Sequence, residues 1–152
     1  MRASRRNYPS YFSLFLCVSV ATFSACSTGE DSERTKEDRT NSAHYYNSLR
    51  DNKEASRLAV RAGNSFSQKQ RGEIRALTAS ALTEARMVAD QWLDNAHPEL
   101  KKHYRSQFQA ALELALANLD NPNYEAAKKG SVLFSNYSDW IASHQEEIHF
   151  PR

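Results

Sequence analysis

Cysteine, glycine and proline are all scarce in this chain. Two cysteines, four glycines and four prolines are spread over 152 residues. Two cysteines cannot build a disulfide-dense scaffold or a four-cysteine zinc site. So little glycine and proline argues against a loop-rich β-sandwich and against a low-complexity disordered chain. No apolar run reaches the roughly 20 residues that a membrane-spanning helix needs. There is no Gly-x-Ser-x-Gly elbow and no glycine-rich phosphate loop, so the sequence gives no reason to expect an enzyme. Metal chemistry is thinly supported as well. Glu146 and His149 stand three apart, as in di-iron bundles, but the second Glu-x-x-His pair of such a bundle is missing. Glu99 and His103 are an ordinary helical neighbour pair, and neither a metal nor an organic cofactor is expected. The length suits one domain.

What is present begins with an address. Residues 1–7 carry Arg2, Arg5 and Arg6 and no acid, and the 13 residues from Tyr11 to Phe23 carry no charge. A basic start, a short apolar core and small residues behind it describe a secretory signal peptide. An uncleaved N-terminal anchor is the alternative, and Ser4-Arg5-Arg6-Asn7-Tyr8 faintly resembles a twin-arginine signal. The run ends in Phe23-Ser24-Ala25-Cys26. This string resembles the lipobox of bacterial lipoproteins, with Phe23 standing where that family usually has leucine. The resemblance covers about the first 26 residues and implies cleavage between Ala25 and Cys26, with diacylglycerol on the Cys26 thiol and a fatty acid such as palmitate on its amine. Each buried methylene contributes about 0.8 kcal/mol, so several chains would hold the protein on a membrane durably. Ser27, rather than Asp, after the cysteine implies the outer membrane, facing the periplasm. Cys17 would leave with the signal, so no disulfide is expected within the mature chain.

Residues 27–42 contain no aliphatic or aromatic side chain, and eight of the sixteen are charged. Such a segment buries too little apolar surface to offset ordering entropy and reads as a flexible tether. The expected organisation is therefore a signal peptide over 1–25, a lipidated cysteine and tether over 26–42, and a folded domain over 43–152. The formal charge of +2 comes from the signal: without residues 1–25 the chain has 17 basic and 18 acidic side chains. Global charge thus gives no case for an anionic partner, and nucleic acid is not expected.

From Ala43 onward the pattern is helical. Helix 1 is expected over about 42–62, stopped by Gly63, with a thin stripe of Tyr45, Tyr46, Leu49, Leu58, Ala59 and Val60. Ser67 and Gln70 form a capping box for helix 2. Ile74, Leu77, Ala81, Ala85, Val88 and Trp92 then step along one face towards His97-Pro98. Pro98 opens helix 3, whose stripe is Leu100, Tyr104, Phe108, Ala111, Ala115 and Leu119. Asn121 is expected to cap helix 4, which carries Ala127, Phe134, Tyr137, Ile141, His144 and Ile148 on one face. No alternating run long enough for a sheet occurs. The expected fold is all-α, an antiparallel up-and-down bundle of about four helices.

Two surfaces are candidates for function. Arg50, Lys53, Arg57 and Arg61 form a basic stripe on helix 1 that could touch headgroups or an acidic partner, though such charge runs are usually solvated helix surface. Trp92, Tyr104, Phe134, Tyr137 and His144 could line a pocket between helices, though aromatics at this spacing are more often core. The thin stripe of helix 1 suggests a groove that a partner helix could fill. The leading reading is a membrane-anchored envelope lipoprotein whose helical domain binds or scaffolds a protein partner. The architecture is similar to that of the helical pilotins, which chaperone an outer-membrane secretion component. A ligand-binding bundle and an exclusion or immunity lipoprotein remain alternatives. The oligomeric state is not legible.

Overall fold

The computed structural model describes residues 36–63 and 66–151. They form an all-α bundle, 83% helical and without strands. Four rods make it up. The first is α1 (Lys36–Ala62). The second is α2 (Gln68–Met87) followed after a break by α3 (Asp90–Ala96). The third joins α4 (Leu100–His103), a π-helical turn (Tyr104–Gln109) and α5 (Ala110–Asp120). The fourth is α6 (Tyr124–Ser143).

The punctuation is local chemistry. Gly63 adopts φ +63°, and its N–H closes back on the Ala59 carbonyl at 3.2 Å, ending α1 in the left-handed conformation that glycine accepts. The Ser67 hydroxyl accepts from the Gln70 N–H while the Gln70 side chain accepts from the Ser67 N–H, so the expected capping box forms. At Pro98 the ring Nδ1 of His97 accepts from the Glu99 N–H at 3.1 Å, and the His97 carbonyl accepts from the Leu100 N–H. At α6 the cap is Asn123 rather than Asn121: its side-chain oxygen accepts from the Ala126 N–H at 3.0 Å. Pro122 therefore precedes the cap instead of opening the helix, and the Asn118 side chain receives the Asn123 N–H.

Side-chain partners show the antiparallel registers. Between α1 and the second rod, Asn41 meets Ala89 in the break after α2, and His44 meets Glu84 and Asp51 meets Ser80 on α2. Between α2 and α5, Arg75 pairs with Asp120 and Arg86 with Glu113. Across to α6, His103 lies on Trp140, Tyr104 on Tyr137 and Phe108 on Phe134. Buried Gly130 lets α6 approach α5 closely, since a Cβ there would lie 3.4 Å from the Leu114 Cβ.

The largest departure from the sequence pattern is at α1. It starts at Lys36, so 36–42 is helix and part of the packed domain, while 27–35 lies outside the described residues. Asn41 and Ser42 are buried. The inner face of α1 is largely small and polar: beside Tyr45, Ala55 and Ala59 it buries Ser48, Asp51, Asn52 and Ser56. Tyr46 and Val60, counted in the expected stripe, are exposed. A buried polar face is tolerable only if it is hydrogen-bonded. The Asn41 side chain donates to the Glu37 carbonyl and accepts from the Ala89 N–H; Ser56 donates to the Asn52 carbonyl; Asp51 accepts from Ser80.

Helix 2 is likewise two helices. Val88 and Ala89 are extended, with ψ of 123° and 138°. The expected stripe survives the break, because Val88, Trp92, Leu93 and Ala96 all enter the core. The far end also differs. The chain leaves α6 at Ser143 and turns back, and the His149 N–H donates to the Ala96 carbonyl at 2.9 Å. Phe150 then stacks on Trp92 with ring centroids 5.0 Å apart.

Candidate functional site

The five aromatic and histidine positions expected to line a pocket are brought together, but mostly as packed core. Trp92, Tyr104 and Tyr137 are buried; Phe134 and His144 are half-buried. Tyr104 packs between Tyr45, Phe108 and Tyr137, with ring centroids 5.3, 5.2 and 6.1 Å away. α1 reaches this cluster directly. The Tyr45 and Tyr137 hydroxyls are 3.0 Å apart, and the Ser48 hydroxyl is 2.9 Å from that of Tyr104. The Ser48 hydroxyl also donates to the Tyr45 carbonyl at 2.6 Å. At this level α1 covers the layer of Tyr104 and Tyr137, where its thin stripe had suggested a groove. Tyr45 and Ser48 fill that space with one aromatic and one small polar residue.

Burial pushes the phenols of Tyr45, Tyr104 and Tyr137 well above the ordinary tyrosine range. They stay protonated and serve as hydrogen-bonding pairs. The linkage has a definite sign. In the unfolded chain these phenols ionise near pH 10, whereas in the folded domain they do not. Their contribution is therefore complete below about pH 10 and is lost as pH rises beyond it. Denaturant midpoints of the purified protein should fall steeply above about pH 10. Tyrosinate absorbance should lag for part of the tyrosine complement until the domain unfolds. Full tyrosinate signal in the folded state would contradict this.

A second cluster surrounds Trp140. The His103 ring stacks on it with centroids 4.3 Å apart and 11° between planes; His144 stacks at 4.8 Å, and His97 meets it edge-on at 5.3 Å. Each imidazole has its own partner. His144 Nδ1 lies 2.9 Å from the Trp140 carbonyl, His103 Nδ1 lies 3.1 Å from the Gln107 side-chain oxygen, and His97 Nε2 lies 3.5 Å from a Glu147 carboxylate oxygen. Because His97 Nδ1 accepts from the Glu99 N–H, its proton is on Nε2, facing Glu147. The periodicity placed His144 on an apolar face; His97 and His103 join it through the turn before α4, which periodicity does not describe. Among the described residues, no group of three or more His, Cys, Asp or Glu side chains is placed to hold a metal ion.

The basic stripe is a surface feature. Arg50, Lys53, Arg57 and Arg61 are all exposed. Arg50 pairs with Asp51 at 3.0 Å and Arg57 with Glu54 at 2.6 Å. The longer helix adds two further exposed cations, Lys36 and Arg39, which the sequence pattern had placed in a tether. Ala25 and Cys26 lie outside the described residues. No family model, no curated protein and no solved structure matches the chain.

Proposed function

We propose that this is a lipid-anchored lipoprotein of a bacterial cell envelope whose helical domain binds a protein partner. The observation that carries it is the string Phe23-Ser24-Ala25-Cys26 behind 13 uncharged residues and a start with three arginines. Small residues before the cysteine suit a narrow protease site, and only cysteine offers a thiolate for alkylation. Among the described residues no helix is long and apolar enough to cross a membrane, so in this reading attachment rests on Cys26. Outer-membrane delivery follows from Ser27 at the next position and belongs to the same proposal.

Partner binding is supported by the way the interior is used. A ligand between the helices would have to displace the packed rings of Trp92, Tyr104 and Tyr137. A protein on the outer surface would not, and this favours the protein-binding reading over a ligand-binding bundle.

Cys26→Ser tests the anchor. The wild-type protein, expressed in a two-membrane bacterium, should incorporate labelled palmitate and sediment with membranes. The variant should incorporate none, and it should accumulate as uncut precursor or be released. A variant that is still processed and still membrane-bound would overturn the proposal.

A further inference from the structure

The outer face of α1 is more extensive than the four-residue stripe. Its exposed positions include Lys36, Arg39, Arg50, Lys53, Arg57 and Arg61, together with Ala43, Tyr46 and Val60. At 3.6 residues per turn these nine positions fall within an arc of about 120°. They run along about 38 Å of helix at 1.5 Å per residue. Two of these cations are paired within α1, Arg50 with Asp51 at 3.0 Å and Arg57 with Glu54 at 2.6 Å, so the face carries six cations against two paired carboxylates. Asp51 turns inward, its carboxylate accepting from Ser80 at 2.7 Å with only 12% of the side chain exposed. Glu54 sits at the edge of the arc, in line with Lys36, where it holds Arg57; Asp38 is half-buried, and exposed Glu37 lies roughly a quarter-turn off the arc. Other exposed acids, among them Glu73, Glu125, Asp139, Glu146 and Glu147, lie outside α1. α1 packs chiefly on α2, and its opposite side is exposed at these positions, with the Tyr46 ring also meeting Phe150 of the C-terminal segment at 6.0 Å between centroids.

We infer that this face lies flat on a membrane surface containing anionic phospholipid. The inference rests on the lipid-anchor reading, because it is the anchor that brings the surface within reach. Nine residues separate Cys26 from Lys36. Fully extended they span at most about 35 Å, which keeps the start of α1 at a high effective concentration near the lipid. A row of six cations complements phosphate headgroups, and each cation near an anionic surface strengthens contact roughly fivefold. Tyr46 and Val60, 45% and 52% exposed on the same arc, supply apolar contacts at the headgroup boundary. An acidic protein would match the charge too, but nothing would hold it at that face as the anchor holds the membrane.

The test uses the full-length lipidated protein carrying Val60→Cys, labelled with a fluorophore at the end of α1 remote from the anchor. It is reconstituted into vesicles of phosphatidylcholine alone or mixed with phosphatidylglycerol, each with a headgroup quencher. The label should be strongly quenched only where phosphatidylglycerol is present, and high salt should relieve the quenching. Arg50→Gln, Lys53→Gln, Arg57→Gln and Arg61→Gln together should weaken this contact at least about tenfold. A control label at exposed Val132 on α6 should stay unquenched. Flotation reads the anchor independently: protein that fails to float overturns the lipid-anchor reading. Protein that floats with a label at position 60 no closer to lipid than the one at 132 overturns only the docking inference. Quenching without dependence on phosphatidylglycerol overturns it as well. So does a photocrosslink in cells from position 60 to an acidic envelope protein instead of lipid.

Discussion

Tyr104→Ala is expected to destabilise the domain by about 3–5 kcal/mol, the range for removing a fully buried aromatic side chain. Tyr104 is 0% exposed and touches three aromatic neighbours from α1, its own helix and α6. Truncation would leave a cavity that three rods would have to collapse to fill. Tyr104→Phe separates packing from hydrogen bonding. It removes only the hydroxyl shared with Ser48, and Ser48 keeps its bond to the Tyr45 carbonyl. The expected cost is therefore about 1 kcal/mol. Ser48→Ala with Tyr104→Phe should cost less than the sum of the single changes, because the pair leaves no unpaired hydroxyl at that contact. Denaturant unfolding of the four proteins measures all of this. A Tyr104→Ala protein within about 1 kcal/mol of wild type would show that the cluster does not hold the three rods together.

Tyr104 also illustrates what the sequence reveals and what it hides. Leu100, Tyr104 and Phe108 step by four, and the π-helical turn keeps Tyr104 and Phe108 on the buried side before Ala111 and Leu112 continue it. The hydrophobic pattern was legible there although the π-helical turn was not. Two caps built from neighbours, at Gly63 and Ser67–Gln70, were equally legible, whereas at α6 two asparagines flank Pro122 and the cap is the second, Asn123, not the expected Asn121. Features satisfied at long range were not legible. Asn41 and Ser42 close a strongly polar segment, and polar composition reads as tether. Buried, the Asn41 side chain is satisfied by the Glu37 carbonyl one turn back and by the distant N–H of Ala89, and the second partner is invisible to local pattern. The break at Val88–Ala89 has no glycine or proline to announce it, for the same reason. Of the basic face, four residues were legible from spacing. Lys36 and Arg39 join it only because that hidden partner extends α1 by two turns.

Arg105→Ala should cost about 2–4 kcal/mol, a large loss for a residue that looks, in sequence, like ordinary helix surface. The guanidinium fills the break between α2 and α3. Nη1 donates to the Ala85 carbonyl at 2.8 Å and to Gln109 at 3.0 Å; Nη2 donates to the Val88 carbonyl and to Asp90; Nε donates to Asp90 at 2.9 Å. All five of its donors are used. Ala85 and Val88 are almost completely buried, so their carbonyls, freed at the end of α2, would lose a partner where water does not easily replace it. Lysine offers three donors from a single nitrogen and cannot reproduce the fork, so Arg105→Lys should recover less than half of the loss. The break is also where Ala89 holds Asn41, and Asn41 lies in the second turn of α1. Loosening it should free the start of the helix nearest Cys26 without disturbing the far end of α1, which packs through Ala55 and Ala59 into a separate cluster with Ile74 and Leu119. Amide exchange in Arg105→Ala should accordingly rise at α3 and in the first two turns of α1, and stay near wild type around Ala59. A loss below about 0.5 kcal/mol, or exchange rising evenly along α1, would contradict the clamp. The same substitution should loosen the Lys36–Arg39 end of the cationic face first, because that end depends on the Asn41–Ala89 contact, which the rest of α1 does not share.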